Sequence, residues 1–327
     1  MNITERTMLT DKVIDKIKGV IYGQAIGDAL GLGTESMNYK EVKSAYPGGL
    51  KRYSDIIDDS YRRRWKKGEW TDDTDQVICI LNSVINNQEL HENHVADEFY
   101  KWMQRGPKDI GFFTQKVLKD PDYLDNPHQA ARKRWEKEGM ITAPNGALMR
   151  TSVIGTWMFW DKSRVTDFAE RIARTTHYDP RCVASCVIVS QIIRSLIHED
   201  RTLTKDEILE YGNSYHPKVG KYIEKGMGSS IHSLELDDVN KRAYTLRGLS
   251  VALWAMKNEM TFEEGLFKVV AEGGDSDTNA ALTCSILGAK LGFSAIPEYW
   301  TKNLHNKEKL DMLIDEYIGI LKEKAEA

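Results

Sequence analysis

The chain has 327 residues, 41% hydrophobic and 29% charged, with a formal net charge of −4. That composition is ordinary for a globular protein and excludes a fibrous or low-complexity chain. The slightly negative balance gives no general attraction to nucleic acid or to an anionic membrane.

No apolar run approaches the ~18 residues of a transmembrane span, so no membrane partner is expected. Met1-Asn2-Ile3-Thr4-Glu5-Arg6 lacks the form of a signal peptide. Cys79, Cys182, Cys186 and Cys284 form no CxxC, and each lies in an apolar helical pattern. Buried thiols in a reducing cytoplasm are the expectation. The absence of a low-complexity linker favours one domain over residues 1–327.

In chain order, Val13, Ile14, Ile17, Val20 and Ile21 recur at helical spacing. The helix continues into Gly23-Gln24-Ala25-Ile26-Gly27-Asp28-Ala29-Leu30-Gly31. Small residues at 23, 25, 27, 29 and 31 predict close contact with another helix inside the core. Asp28 in such a run needs a buried partner. Glu35 follows the end of the helix and reads, by position alone, as a solvated loop residue. Residues 47–69 read as a loop that opens at Pro47-Gly48-Gly49. Its basic run, Arg62-Arg63-Arg64-Trp65-Lys66-Lys67, reads as a solvated face.

Trp70-Thr71-Asp72-Asp73-Thr74-Asp75-Gln76 comes next, followed by the helical apolar pattern of Val77, Ile78, Ile80, Leu81, Val84 and Ile85. The acids therefore sit at a helix N-terminus, where N–H groups and the helix dipole favour negative charge. Thr71 or Asp73 can serve as the N-cap, and Asp73 to Gln76 resembles a capping box. One cap needs one acid, and three repel one another. A hard cation with oxygen ligands removes that repulsion most simply.

His91-Glu92-Asn93-His94 is one residue short of H-E-x-x-H and reads as surface. Gly106-Pro107-Lys108-Asp109-Ile110-Gly111-Phe112-Phe113-Thr114 reads as a loop whose N–H groups could bind phosphate. Asn145-Gly146-Ala147-Leu148-Met149-Arg150 reads as a turn after Pro144, with Arg150 paired to a surface acid. A helix over 165–174 ends near Thr176-His177, and Pro180 opens a central apolar helix. Residues 200–245 are polar with weaker helices. Helices at 246–256 and 262–270 lead to Gly273-Gly274-Asp275-Ser276-Asp277-Thr278-Asn279, a second acidic helix start, and residues 309–322 give a final amphipathic helix.

Asp275-Ser276-Asp277-Thr278-Asn279 begins like an EF-hand loop. It fails that pattern, because Ala280 holds the glycine position and Ile286 the closing glutamate position. Two acidic helix starts, distant in sequence, are expected to face each other around one or two cations. Oxygen ligands without His or Cys select Mg²⁺ or Mn²⁺ over Zn²⁺. Almost no period-two alternation occurs, so the fold is expected to be all-α.

Taken together and in order, these stretches resemble the ADP-ribosylglycohydrolase family, which includes dinitrogenase reductase-activating glycohydrolase and the ADP-ribosylarginine hydrolases. The resemblance spans roughly residues 17–295. Its elements are Gly27-Asp28-Ala29-Leu30-Gly31 with Glu35; Trp70-Thr71-Asp72-Asp73-Thr74; Asp109-Ile110-Gly111; Asn145-Gly146-Ala147-Leu148-Met149-Arg150; Thr176-His177; and Gly274-Asp275-Ser276-Asp277-Thr278. It implies an all-α orthogonal helical bundle with a centre of two Mg²⁺ or Mn²⁺ ions.

By position, Thr71, Asp72 and Asp73 supply metal ligands from one side, and Asp275, Asp277 and Thr278 from the other. Glu35 becomes a catalytic candidate, with Asp73 and Asp277 as further carboxylates at the reaction centre. Asp109, Ile110 and Gly111 are implied to lie beside the diphosphate and ribose of ADP-ribose. Asn145, Gly146 and Ala147 are implied to cradle the ligand, and His177 to touch its adenosine half or ribose.

The activity implied is metal-dependent release of ADP-ribose from a mono-ADP-ribosylated protein, arginine-linked in the first instance. The partners are that protein and the product ADP-ribose, for a cytoplasmic monomer. The alternatives are another ADP-ribosyl linkage (serine-linked, or O-acetyl-ADP-ribose) and an inactive ADP-ribose-binding or structural relative. A helical phosphohydrolase is disfavoured, since the eight histidines are scattered and no His-Asp pair occurs.

Overall fold

The computed structural model describes residues 9–228 and 230–326, and these are α-helices and short 3-10 turns with no strand among them. The segment read above against a signal peptide lies outside the described residues. The helices share one continuous apolar core. The all-α expectation therefore holds.

The core is centred on two helices. Helix α1 spans Asp11–Gly31 and starts at Thr10, whose hydroxyl accepts the Val13 N–H. A second long helix, Ser276–Leu291, packs antiparallel against it. The approach is close because α1 carries glycine every fourth residue on that face. A methyl group on Gly23 would lie 2.1 Å from the Cys284 carbonyl oxygen, one on Gly27 2.2 Å from that of Ala280, and one on Gly31 2.3 Å from that of Ser276. On the partner helix, Gly288 meets Gly19 in the same way. The small-residue expectation is confirmed for 23, 27 and 31. Ala25 and Ala29 are also buried but lie off this seam. The sum of paired positions is constant, so the C-terminal end of α1 meets the N-terminal end of its partner.

The other elements that shape the site are numbered in order. Helix α2 spans Tyr39–Ala45, α3 Asp72–Asn87, α4 Glu92–Gln104, α5 Phe112–Leu118 and α6 Pro127–Lys137. Helix α7 spans Lys162–Arg174 and α8 Pro180–His198, with Pro180 in its first turn as expected. Helix α8 is long and apolar enough by composition to cross a membrane, contrary to the expectation that no segment is. Almost all of it is buried in the core instead.

After α9 (Lys205–Tyr215) and α10 (Lys218–Gly226) come α11 (Thr245–Lys257), α12 (Phe262–Val270) and the partner of α1, α13 (Ser276–Leu291). Helices α14 (Glu298–Lys302) and α15 (Lys307–Glu326) close the chain. The turn expected at 145–150 is followed by a buried 3-10 helix, Leu148–Thr156, that the sequence pattern does not announce. The four cysteines are free and buried.

Gly27→Ala should lower the unfolding free energy by about 2–3 kcal/mol, because neither backbone can yield to the added methyl. The check is the urea midpoint at unchanged slope. Gly48→Ala, with nothing within 4 Å, is the control and should change stability by less than about 0.5 kcal/mol.

Candidate functional site

The register of α1 on α13 delivers two carboxylates to two helix N-termini. Asp28, on the last turns of α1 and fully buried, accepts the Thr71 N–H at 3.0 Å. It also accepts the Thr74 N–H at 3.0 Å and the Thr74 hydroxyl at 2.6 Å. This is the partner that Asp28 needs: it satisfies the free donors at the start of α3. Glu35, in the turn that follows the end of α1, accepts the Ser276 N–H at 2.8 Å at the start of α13. Its reading as a solvated loop residue is wrong, since it is 8% exposed. The turn that carries Glu35 is joined to the loop before α13 by Ser36 N–H to Gly274 O at 2.8 Å and Gly274 N–H to Met37 O at 2.7 Å. A side chain at Gly274, where φ is +75°, would strike the Leu236 carbonyl.

With the helix starts capped from α1, their own acids are left over. Thr71 is the N-cap of α3, its hydroxyl accepting the Asp73 N–H at 3.4 Å. The alternative capping box at Asp73 and Gln76 does not form. Asp275 sits at the N-cap position of α13 but makes no capping bond. Asp75, the third acid of the first cluster, turns away and accepts both the Trp70 and Trp102 indole N–H groups at 3.0 Å.

The remaining acids converge. Glu35, Asp72, Asp73, Asp109, Asp275 and Asp277 line one cavity of about 430 Å³ with Thr278. Carboxylate oxygens of Glu35, Asp275 and Asp277 lie within 4.8 Å of one another. Among the described residues lining this cavity there is no Lys or Arg. Burial first, and then repulsion from Asp277, pushes Asp275 and Asp28 up to about 7. The same causes raise Glu35 and Asp73 well above the usual carboxylate range. For Asp72, burial is followed by repulsion from Asp109.

The donor set fits a hard divalent cation. Its groups are carboxylate and hydroxyl oxygens. Asp73 Oδ2 is buried with no hydrogen-bond partner, which a buried acceptor avoids unless a ligand supplies one.

Among the residues implied for ADP-ribose, Asp109, Gly111, Asn145, Gly146 and His177 line the cavity, whereas Ile110 and Ala147 do not; nor does Thr71, implied as a metal ligand. The Asn145 amide donates to Asp275 and so orients that carboxylate. Gly146 lies under the His177 ring, where a methyl would come within 2.8 Å of Cε1. His177 is buried and held neutral by burial and then by Arg150. Its Nδ1 pairs with the Thr176 hydroxyl at 2.7 Å, and its Nε2 is buried without a partner.

Arg150 is not paired to a surface acid. It is buried, donates to Gln76 Oε1 at 2.5 Å and to Thr176 Oγ1 at 2.6 Å, and stacks over Phe99. Burial pushes it down to about 10. Sequence reasoning missed Tyr61 as a cavity wall, whereas Phe113 and Thr114 fall within the loop expected at 106–114 but form the first turn of α5. Nothing in the local pattern marks Tyr61. His91 and His94 lie at the surface as expected, beside Glu92 and Glu89.

The sequence profile described as ADP-ribosylglycohydrolase matches residues 9–326. The chain belongs to the ADP-ribosylglycohydrolase family. An ADP-ribosylarginine hydrolase from Serratia proteamaculans (strain 568) is 28% identical over 319 residues, covering 93% of this chain and 79% of the relative. The ADP-ribosyl-[dinitrogen reductase] glycohydrolase of Rhodospirillum rubrum is 26% identical, covering 95% of each. A solved structure titled as an ADP-ribosylglycohydrolase-related protein complex superposes with a TM-score of 0.76 over 95% of this chain and 100% of that one. At its 24% identity that likeness speaks to the fold alone. The family and its named members are hydrolases of glycosidic bonds, and this chain is an enzyme of that class.

A carboxyl whose folded-state pKa exceeds its ordinary value binds its proton more tightly in the folded chain. For Asp275 that stabilisation is fully present below 3.8 and is lost as pH rises through about 7. The metal-free protein should therefore lose several degrees of Tm between about pH 5 and about pH 8. Added Mg²⁺ or Mn²⁺ should restore it at the higher pH. A metal-free Tm that climbs over this interval would contradict the electrostatic account.

Proposed function

We propose that this chain is a divalent-metal-dependent hydrolase that releases ADP-ribose from mono-ADP-ribosylated protein, with arginine as the modified residue. The observation that carries the reading is the meeting of two acidic helix starts with Glu35 in one cavity, where no described Lys or Arg is among the lining residues. Asp72 and Asp73 on one side, and Asp275, Asp277 and Thr278 on the other, are the residues that would hold Mg²⁺ or Mn²⁺. Bound there, such ions supply positive charge that polarises oxygen ligands of the substrate.

The bond to be cleaved joins C1′ of ribose to a side-chain nitrogen. Its departure leaves an oxocarbenium-like centre. Glu35 takes the proton of the attacking water as its oxygen bonds to C1′, and the nitrogen that leaves with the electron pair of the broken bond receives a proton in return. The raised proton affinity of Glu35 suits the first of these transfers. The unpartnered Nε2 of His177 is placed to donate to a ligand oxygen, fixed in that tautomer by Thr176 and Arg150 behind it. The first turn of α5, Phe112–Thr114, has no side-chain cap, which leaves its N–H groups for phosphate oxygens, while the Gly111 N–H is given to Asp72. The arginine acceptor is supported by the names of the two bacterial relatives, one acting on ADP-ribosylarginine and one on dinitrogen reductase.

The test is hydrolysis of protein modified on arginine or on serine, in separate tubes, with Mg²⁺, Mn²⁺ or EDTA. Free ADP-ribose from the arginine substrate alone, abolished by EDTA, is the expected result. Release from serine alone would sink the acceptor assignment, and AMP or phosphate as product would sink glycosidic cleavage. Glu35→Gln should reduce turnover by about 10²–10⁴-fold while ADP-ribose binding stays measurable. Near-normal turnover in that variant would remove Glu35 from the mechanism.

A further inference from the structure

The basic run at 62–67 is the one motif that the acidic site does not absorb. Arg63, Arg64, Lys66 and Lys67 are exposed, as a solvated face should be. Arg62 departs from that expectation and is 7% exposed. Its Nε donates to the main-chain oxygens of Leu32 at 3.1 Å and Gly33 at 2.9 Å. One terminal nitrogen donates to the main-chain oxygen of Glu35 at 2.5 Å, and the other to the Asp59 carboxylate at 2.5 Å. All three carbonyls belong to the turn that leads from α1 to Glu35. Carbonyl dipoles gathered on one point repel each other unless a cation holds them, and only a guanidinium offers that many donors in one rigid plane.

The neighbours of Arg62 reach the other side of the cavity. Tyr61 lines it and donates its hydroxyl to Asp109 at 3.2 Å. Arg64 donates to the Lys108 carbonyl at 3.0 Å and stacks over the Tyr61 ring. The segment 59–65 thus ties the Glu35 turn to the Asp109 loop.

Glu35 needs such support. Among the described residues its carboxylate accepts the Ser276 N–H at 2.8 Å and a long bond from the Ser36 hydroxyl at 3.3 Å, and its one further partner is the carboxyl of Asp277, itself an acid. Asp275 and Asp277 repel it. A side chain pushed outward by like charges keeps its place only if its own backbone is fixed. We propose that Arg62 is the positioning residue for Glu35, clamping the turn from behind so that the carboxylate stays against Asp275 and Asp277. The kinetic consequence rests on the catalytic role proposed for Glu35; the structural consequence does not.

Two measurements test this on the full chain. The first is hydrogen exchange of the amides of residues 33–37 in Arg62→Ala, with no substrate present. Faster exchange there, with the α1 and α13 core unchanged, is expected; unchanged exchange would overturn the proposal. The second is a double-mutant cycle with Glu35→Gln. Arg62→Ala alone should lower kcat roughly 100-fold, the scale of a small misplacement of a reacting group. KM should shift less than about threefold, because ground-state binding is untouched. In the Glu35→Gln background the same change should cost nothing further. Additive losses would mean that Arg62 acts on overall structure and not through Glu35. Arg62→Lys, which keeps charge and bulk, runs the same cycle if the alanine variant does not fold, and should restore only part of the activity. Should the wild-type chain release no ADP-ribose, the proposed function falls, and the exchange measurement still decides the role of Arg62.

Discussion

The close antiparallel contact of α1 with α13 is the constraint on which the site depends. Glycine at every fourth position of α1 lets two backbones approach until carbonyl oxygens fill the space where side chains would stand. Such contact fixes register as well as distance, because a slide of one residue would drive a side chain into backbone. Register in turn decides what lies at the end of the pair. Asp28 reaches the start of α3 and Glu35 the start of α13. Each satisfies a helix N-terminus from outside its own helix.

That arrangement releases the acids of the helix starts from the work their positions suggest. Asp72, Asp73, Asp275 and Asp277 face a shared cavity instead of capping their helices. Burying this much like charge is unfavourable, and the rise of every one of these carboxyls above its ordinary range is the direct expression of that cost. The protein has two ways to lower it, protons or cations. Oxygen donors and the absence of Lys and Arg from the described lining favour hard divalent cations when the carboxyls are ionised.

A second polar layer holds the opposite wall. Among the described residues buried Arg150 has no carboxylate partner, and it donates instead to Gln76 and Thr176. Burial first, and then Arg150, leaves His177 neutral, with Nδ1 paired to Thr176 and Nε2 unpartnered at the cavity. Asn145 steadies Asp275, and Gly146 makes room for the His177 ring. The ligand-facing loops are thus shaped by interactions that lie behind them, among residues contributed by α3, the 3-10 helix Leu148–Thr156 and the junction before α8.

Local sequence determined much of this. Helical periodicity fixed the all-α class, and the glycine spacing announced a tight helix pair, because both are properties of neighbouring residues on one helix face. The two acidic helix starts, too many acids for two caps, pointed to an oxygen-only site before any geometry was known. Only the tertiary structure decided which acids cap and which face the cavity, since Asp28 and Glu35 find their donors 43 and 241 residues away. The same holds for Asp75, turned out by Trp102 from a different helix, and for Arg62 and Arg150, which resemble surface cations in sequence and are buried against distant carbonyls and hydroxyls. Charge and burial are not local properties. A side chain's environment is set by whatever the chain brings to it from elsewhere, and no window of neighbouring residues contains that information.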